Sequence, residues 1–430
     1  MRRVPRGLKR ACWLLLATAG IAWIGWPILV RAVVGPLLEP EWGGPASIGS
    51  AHWFFGDTIV LKDVITPDGG SGQPMLTVGR IELRFERIPL WSSPGPLMAA
   101  DFLDARLAFC GRPVCSIAAV RYRYDAEHGK HLTIEGLDGG FRVEQASDWV
   151  GVIGRIVDAP GIAGDGEGSL MREIQVAESR LSVTLALGGG KAQVLPLEPF
   201  ACTLHPTAAK ALAIDTLTAG LLAGLLRSSG SVDWTNDRID WHAQANLEHL
   251  DLHAAGACLD WLPASSAGTV SAFLDLGTTG DGELGGAGWV EGSKVAVSEQ
   301  PVAKVVFDKL GVRPERDDVL DEVRVRLLFD RGRLYFEQLV ALGRPVNLFG
   351  NGSMRLDGSE LVAGLVPRFS SKQLKDIPLA DDAPSDVLVD IVNGSLVELR
   401  VEGGLDGVSV FVQPVPMVTE PMRRFLDLFR

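Results

Sequence analysis

The residues whose types and spacing could do chemistry are His249, Asp251 and His253, in the run His249-Leu-Asp251-Leu-His253. On a β-strand, alternate residues share a face, so two imidazoles and a carboxylate would stand in one row. That donor set suits a transition metal. A half-buried strand gives the same pattern for a plainer reason, with Leu250 and Leu252 inward and polar groups in solvent. The plainer reading carries more weight, and no metal site is assigned. Gly188-Gly-Gly-Lys191 is followed by Ala192, so a phosphate loop would lack the hydroxyl that meets magnesium. Gly164-Asp-Gly-Glu-Gly168 and Gly280-Asp-Gly-Glu283 lack the acidic ladder of a calcium loop and read as charged turns. Carboxylates are abundant, but no spacing singles out an acid and base pair. No catalytic residue and no cofactor is expected, and the chain is read as a non-enzyme.

Cysteine chemistry is the other candidate. Cys12 lies in an apolar run, whereas Cys110, Cys115, Cys202 and Cys258 follow it. Cys110-Gly-Arg-Pro-Val-Cys115 encloses a turn, which suits a local bridge and would leave Cys202 with Cys258. Other pairings are open. Four separate buried thiols are an equal alternative.

The element that must position everything else is Cys12 to Val30, nineteen residues without a charge. A run of about 20 apolar residues spans a hydrocarbon core. Arg2, Arg3, Arg6, Lys9 and Arg10 precede it and predict a cytoplasmic amino terminus with the remainder exported. Trp13 near one end, and Trp23 and Trp26 near the other, are the expected interfacial anchors. A cleaved signal peptide is the rival, with a small-residue pattern at Ala17-Thr-Ala-Gly20, but its apolar core is typically about 7–15 residues. The reading is a retained single-pass anchor over residues 11–34, behind a cytoplasmic basic segment over 1–10.

The chain has 41 basic and 53 acidic residues and a net charge of −12, and its first ten residues hold five of the bases and no acid. The exported part is therefore more acidic still, which excludes phosphate-backbone binding and nucleic acid as a partner. Gly is 50 of 430 residues, without a collagen period, which points to many turns and short strands.

Strand patterns dominate the rest. Thr58 to Leu61 and Met75 to Arg87 read as strands, and the alternation of the second slips phase at Gly79-Arg80, as at a bulge. Val323, Val325, Leu327 and Phe329 share one face, with Arg324 and Arg326 opposite. Asp330-Arg-Gly332 then turns the chain into Leu334-Tyr-Phe336. Asn351-Gly352 and Asn393-Gly394 are two-residue turn signals. Two or three helices are expected: one capped at Ser147-Asp148 and ending before Pro160, the Ala- and Leu-rich Thr207 to Arg227, and a short amphipathic tail over 421–430. Val323, Val325, Leu327, Phe329, Leu334 and Phe336 are candidate lining of an apolar groove. Such rows normally form the core of a sandwich, and periodicity cannot separate the two.

The order of these segments resembles AsmA-like proteins. The basic end and single anchor are followed by Ser47-Ile-Gly-Ser50, Leu61-Lys-Asp-Val64 and Leu76-Thr-Val-Gly-Arg-Ile-Glu-Leu-Arg-Phe85 with Pro89-Leu90. Leu334 to Gly343, Val346 to Gly358, Leu361 to Pro367 and Val387 to Val401 are similar to the family's carboxy-terminal module. The resemblance covers both ends and divides the exported part into an N-terminal β-rich region with helices over 45–228 and a C-terminal β-rich region over 229–420. It implies a bacterial inner-membrane protein with a periplasmic body. Its role would be in cell-envelope and outer-membrane biogenesis, with membrane phospholipid and an envelope protein as partners. The fold expected is mainly β with a few helices: an N-terminal transmembrane helix, then an elongated, twisted antiparallel sheet or groove. The alternative is a periplasmic β-sandwich scaffold or secretion accessory with no lipid ligand.

Overall fold

The structure is a computed structural model. It describes residues 47–53, 56–67, 74–86, 97–109, 112–125, 129–142, 171–185, 193–208, 211–233, 239–259, 262–263, 265–278, 283–296, 305–306, 319–343, 346–356, 358–368, 397–404 and 407–414. The anchor with Trp13, Trp23 and Trp26, the expected helix at Ser147, the turn at Asn393 and the tail over 421–430 lie outside the described residues. Among the described residues no helix is long and apolar enough to cross a membrane.

The described chain is mainly β, with nineteen strands. It divides into two compact units, Met1–Ser182 with Pro199–Asp215, and Val183–Glu198 with Thr216–Arg430.

The first unit contains β1 (Ser47–Trp53), β2 (Thr58–Pro67), β3 (Pro74–Phe85), β4 (Leu97–Phe109), β5 (Arg112–Asp125) and β6 (Gly129–Arg142). Each pairs antiparallel with the next. One face is a buried core that includes Ile48, Ala51, Leu61, Val64, Val78, Ile81, Ala100 and Ala105. The phase slip at Gly79 is present, but it is not a one-residue bulge. Lys62↔Arg80 is followed by Val64↔Val78 without an offset, and the pairings of β3 with β4 continue likewise. Instead every strand slips at the same place, along Gly49, Asp63, Gly79, Asp104, Ala118 and Gly136. Asp63 (φ 53), Asp104 (φ 54) and Gly136 (φ 62) take the left-handed conformation. Their neighbours across the ladder are small by necessity: a Cβ on Gly49 would lie 2.9 Å from that of Asp63. The seam restarts the alternation and keeps apolar side chains on one face throughout.

Next in the chain are β7 (Met171–Leu185), β8 (Gln193–Ala208) and β9 (Ala211–Leu221). The second unit then runs through β10 (Gly224–Asp233), β11 (Asp240–Asp251), α1 (Leu252–Cys258), β12 (Thr269–Thr278), β13 (Leu284–Ala296) and β14 (Val319–Asp330). It continues with β15 (Arg333–Gly343), β16 (Asn347–Arg355), β17 (Leu361–Arg368), β18 (Val397–Gly404) and β19 (Gly407–Pro414). Consecutive strands from β10 to β19 pair antiparallel.

Three expectations are corrected. Thr207 to Arg227 is not a helix: it supplies the end of β8, all of β9 and the start of β10. The tight turn at Leu222 (φ 49) and Ala223 (φ 59) has the left-handed pair of a type I′ hairpin. Gly224 fits because an added Cβ would lie 2.5 Å from the Glu248 carbonyl. Sheet pairing here overrides the helix propensity of Ala and Leu. Asn351-Gly352 is not a turn but the middle of β16, opposite Gly364 and Ala363. Gly352 is needed for close approach, since an added Cβ would lie 2.6 Å from the Val362 carbonyl and 2.7 Å from the Ala363 Cβ. The few helices reduce, among the described residues, to α1 and a short helical turn at 305–306. The turn at Asp330-Arg-Gly332 is as expected, with Arg331 (φ 46) and Gly332 (φ 73) at its tip.

Two substitutions test this backbone account. Asp63→Val places a β-branched residue in the left-handed region and should cost about 1–2 kcal/mol, whereas Asp63→Gly should not destabilise. Gly352→Val should cost about 1–3 kcal/mol by overpacking. Denaturant midpoints of the full chain measure both.

Candidate functional site: an uncharged face of the second unit

The six candidate lining residues lie on β14 and β15, and the ladders extend their face in both directions. One row pairs Ala245 with Leu274, Leu274 with Gly288, Gly288 with Leu327, and Leu327 with Phe336. The next pairs Leu247 with Ala272, Ala272 with Val290, Val290 with Val325, and Val325 with Leu339. Beyond β15 the face continues through Leu348, Ala363, Leu365, Leu399, Val401 and Val410. From β10 to β19 the rows that share this face with Val325 and Leu327 contain no Asp, Glu, Lys or Arg.

Charge is confined to the opposite face. Arg324 pairs with Glu322 and reaches Glu291 at 3.7 Å. Arg227 meets Glu248 at 2.9 Å, and Arg400 meets Glu402 at 2.5 Å. Glu360 receives Arg333 at 3.0 Å and Arg355 at 3.3 Å, and the Arg333 hydrogen bond leads in holding its carboxyl below the usual range. Exposed pairs of this kind add little stability. Their consequence is that one face is wet and the other is hydrocarbon.

Burial divides the uncharged face. Leu348, Leu365, Leu399, Val401 and Val410 are buried, together with Val306, Leu320 and Val346. By contrast Val323, Val325, Leu327, Phe329, Leu334 and Phe336 are half-buried, as are Trp241, Leu247, Leu274, Leu276 and Val290. In the first unit the centre of the core is closed, with Leu61 at 0% and Ile81 at 1%, while Phe85, Phe102, Ile117 and Val120 at its margin are half-buried. The six strands β10 to β15 span about 24 Å at ~4.8 Å per step, and Val323 to Phe329 runs about 20 Å along its strand.

The other sequence candidates do not converge. His249 (φ 53) sits in a bulge of β11, where its N–H donates to the Ser271 hydroxyl at 3.1 Å. Asp251 is the N-cap of α1 and accepts from the His253 N–H at 2.8 Å, so the expected row is broken by a bulge and a helix start. Among the described residues no group of three or more His, Cys, Asp or Glu could hold a metal ion. Cys115, Cys202 and Cys258 are free thiols, which corrects the two-bridge reading, and Cys110 lies outside the described residues. Burial pushes the Cys115 thiol up to about 11; burial, aided by the Asp215 charge, pushes Cys202 up to about 12. Lys130 is buried in the first unit, and burial lowers its pKa.

Two open pockets flank β14. The larger, about 640 Å³, is lined on the charged side by Tyr335, Glu337, Asn351, Val362, Glu398 and Arg400. The smaller, about 380 Å³, contains His242, whose Nε2 lies 2.6 Å from Asp275 Oδ1. The sequence reading missed this pair because the two residues stand on neighbouring strands, 33 positions apart.

Compared with protein-family models, curated proteins and solved structures, the chain matches none.

The thiols give a test in alkali. Both folded pKa values lie above a thiol's ordinary 9.0, so their contribution to stability is present below pH 9.0 and is lost as pH rises towards about 11 for Cys115 and about 12 for Cys202. The denaturation midpoint should fall over that window, and less so in Cys202→Ala. At pH 8, maleimide labelling of Cys115 and Cys202 should be slow in the folded chain and fast after unfolding.

Proposed function

We propose that this chain is a membrane-anchored, non-enzymatic protein of the AsmA-like type. It works on the periplasmic side of the bacterial inner membrane, in cell-envelope and outer-membrane biogenesis. The face of β10–β15 shields or conducts phospholipid acyl chains, with an envelope protein as the exchange partner. The observation that carries this reading is the half-buried, uncharged face of β10–β15. A dry sandwich core would close these side chains as Leu61 and Ile81 are closed at the centre of the first unit's core. One leaflet contributes about 15 Å of hydrocarbon, half of a ~30 Å core. The face, about 20 Å by about 24 Å, is large enough for an acyl chain laid along it.

The test is phospholipid retained by the full chain purified in mild detergent, read by mass spectrometry and phosphorus assay. Val325→Asp and Phe329→Asp place carboxylates on the face and should lower bound phospholipid severalfold, with far-ultraviolet circular dichroism unchanged. Lipid-free wild-type protein, or lipid content indifferent to both substitutions, would overturn the reading in favour of a scaffold without ligand.

A further inference from the structure

We infer that Val306 is a stop on the uncharged face, an inference that rests on the lipid reading above: it ends the acyl-chain path beyond β15 and sets how far across the sheet hydrocarbon can lie. One row of the face runs Val290, Val325, Leu339, Gly350, Leu365 and Leu399 over β13 to β18, each paired with the next. Its chemistry does not change along the way, but its exposure does. Val290, Val325 and Leu339 are half-buried, whereas Leu365 is 7% exposed and Leu399 0%. Residue type gives no reason for that step, since leucine stands on both sides of it.

A cover over the closed part supplies the reason, and Val306 is part of it. Val306 belongs to no strand: it sits in the short helical turn at 305–306, between β13 and β14 in the sequence. Yet it is 1% exposed, and the buried residues clustered with it include Ala341, Leu348, Ala363, Leu365, Leu399 and Val401. Those six all lie on the uncharged face of β15–β18. A residue outside the sheet that is buried with one face of it lies on that face. Val305, partly buried, packs against the same cluster. Both side chains are β-branched and stiff at χ1, which suits a fixed obstacle. A close-packed interior leaves few voids larger than a water molecule, so an acyl chain has no way in where this packing begins. The open stretch, about 24 Å from β10 to β15, exceeds the ~15 Å of hydrocarbon in one leaflet, so a chain fits wholly short of the stop. Past Val306 the same face would run on for about 19 Å to β19.

The experiment photocrosslinks the full chain, in mild detergent, to a phospholipid with a diazirine at the end of one acyl chain, and maps the adducts by peptide mass spectrometry. In the wild type, adducts should fall on β10–β15, at residues such as Leu274, Val290 and Leu327, and be absent from Leu365, Leu399 and Val401. Val306→Asp puts a carboxylate into hydrocarbon and should lift the turn off the face. Adducts at Leu365, Leu399 and Val401 should then rise severalfold, with circular dichroism that of the wild type. Val306→Ala keeps the position apolar and should give the same extension more weakly, so the test does not depend on the charged variant folding. Wild-type adducts already present at Leu365, Leu399 and Val401 overturn the stop and leave the lipid reading in place. So do adducts still confined to β10–β15 in every variant that keeps the wild-type circular dichroism. A wild-type chain without adducts on β10–β15 overturns the lipid reading, and the stop with it.

Discussion

The second unit alternates two chemistries residue by residue, and its antiparallel ladders keep that alternation in step from strand to strand. Val325 is flanked by Arg324 and Arg326, so a slip of one residue would turn both guanidinium groups onto the uncharged face. Side-chain period two makes such a slip affect the whole strand. An unpaired charge on hydrocarbon costs far more than the apolar contacts recover. Register is thus specified by the polarity of the two faces, and the hydrogen bonds of the ladder follow it. The uncharged face is a consequence of the same rule applied to ten successive strands.

A meander of long, twisted strands cannot hold one phase indefinitely, and the chain has two devices for restarting it. In the first unit, six strands slip together along the seam from Gly49 to Gly136, with no change of register. Matched slips avoid unpaired residues, but they require left-handed backbone on alternate strands and small residues between them. Asp63 and Asp104 tolerate that conformation better than branched residues do. In the second unit, β11 uses a true bulge at His249, and β15 uses another between Phe336 and Leu339. There Glu337 and Gln338 both fall on the wet side, and the apolar row resumes at Leu339.

These devices explain what could be read from the sequence. The alternation at Val323 to Phe329, the turn at Arg331-Gly332 and the slip at Gly79 were legible because each is encoded within a few residues. That Gly79 belongs to a seam was not, since its partners Asp63 and Asp104 are defined only by the ladder. Thr207 to Arg227 was misread because Leu spacing fits a helix and a hairpin equally, and only the pairing of β10 with β11 decides. Asn351-Gly352 carries a turn signature, yet Gly352 serves close packing against Ala363. At the candidate site the six lining residues were legible as a row. Whether that row was closed or open depended on burial, which periodicity does not contain.

The chemistry of the face limits what it could distinguish in the proposed role. Its side chains are mostly Leu, Val, Phe, Ala and Gly, with Trp241 at one end and few hydroxyls, so a guest is held chiefly by hydrocarbon burial. Each buried methylene is worth about 0.8 kcal/mol, enough to retain an acyl chain but too uniform to tell one lipid from another. A headgroup has no charged partner on this face, and desolvating it there would be unfavourable. It would have to remain at the margin, in water. Selection by headgroup would therefore fall to the membrane that supplies the lipid or the protein that receives it. The face itself would contribute a path that is indifferent to identity and costly to anything charged.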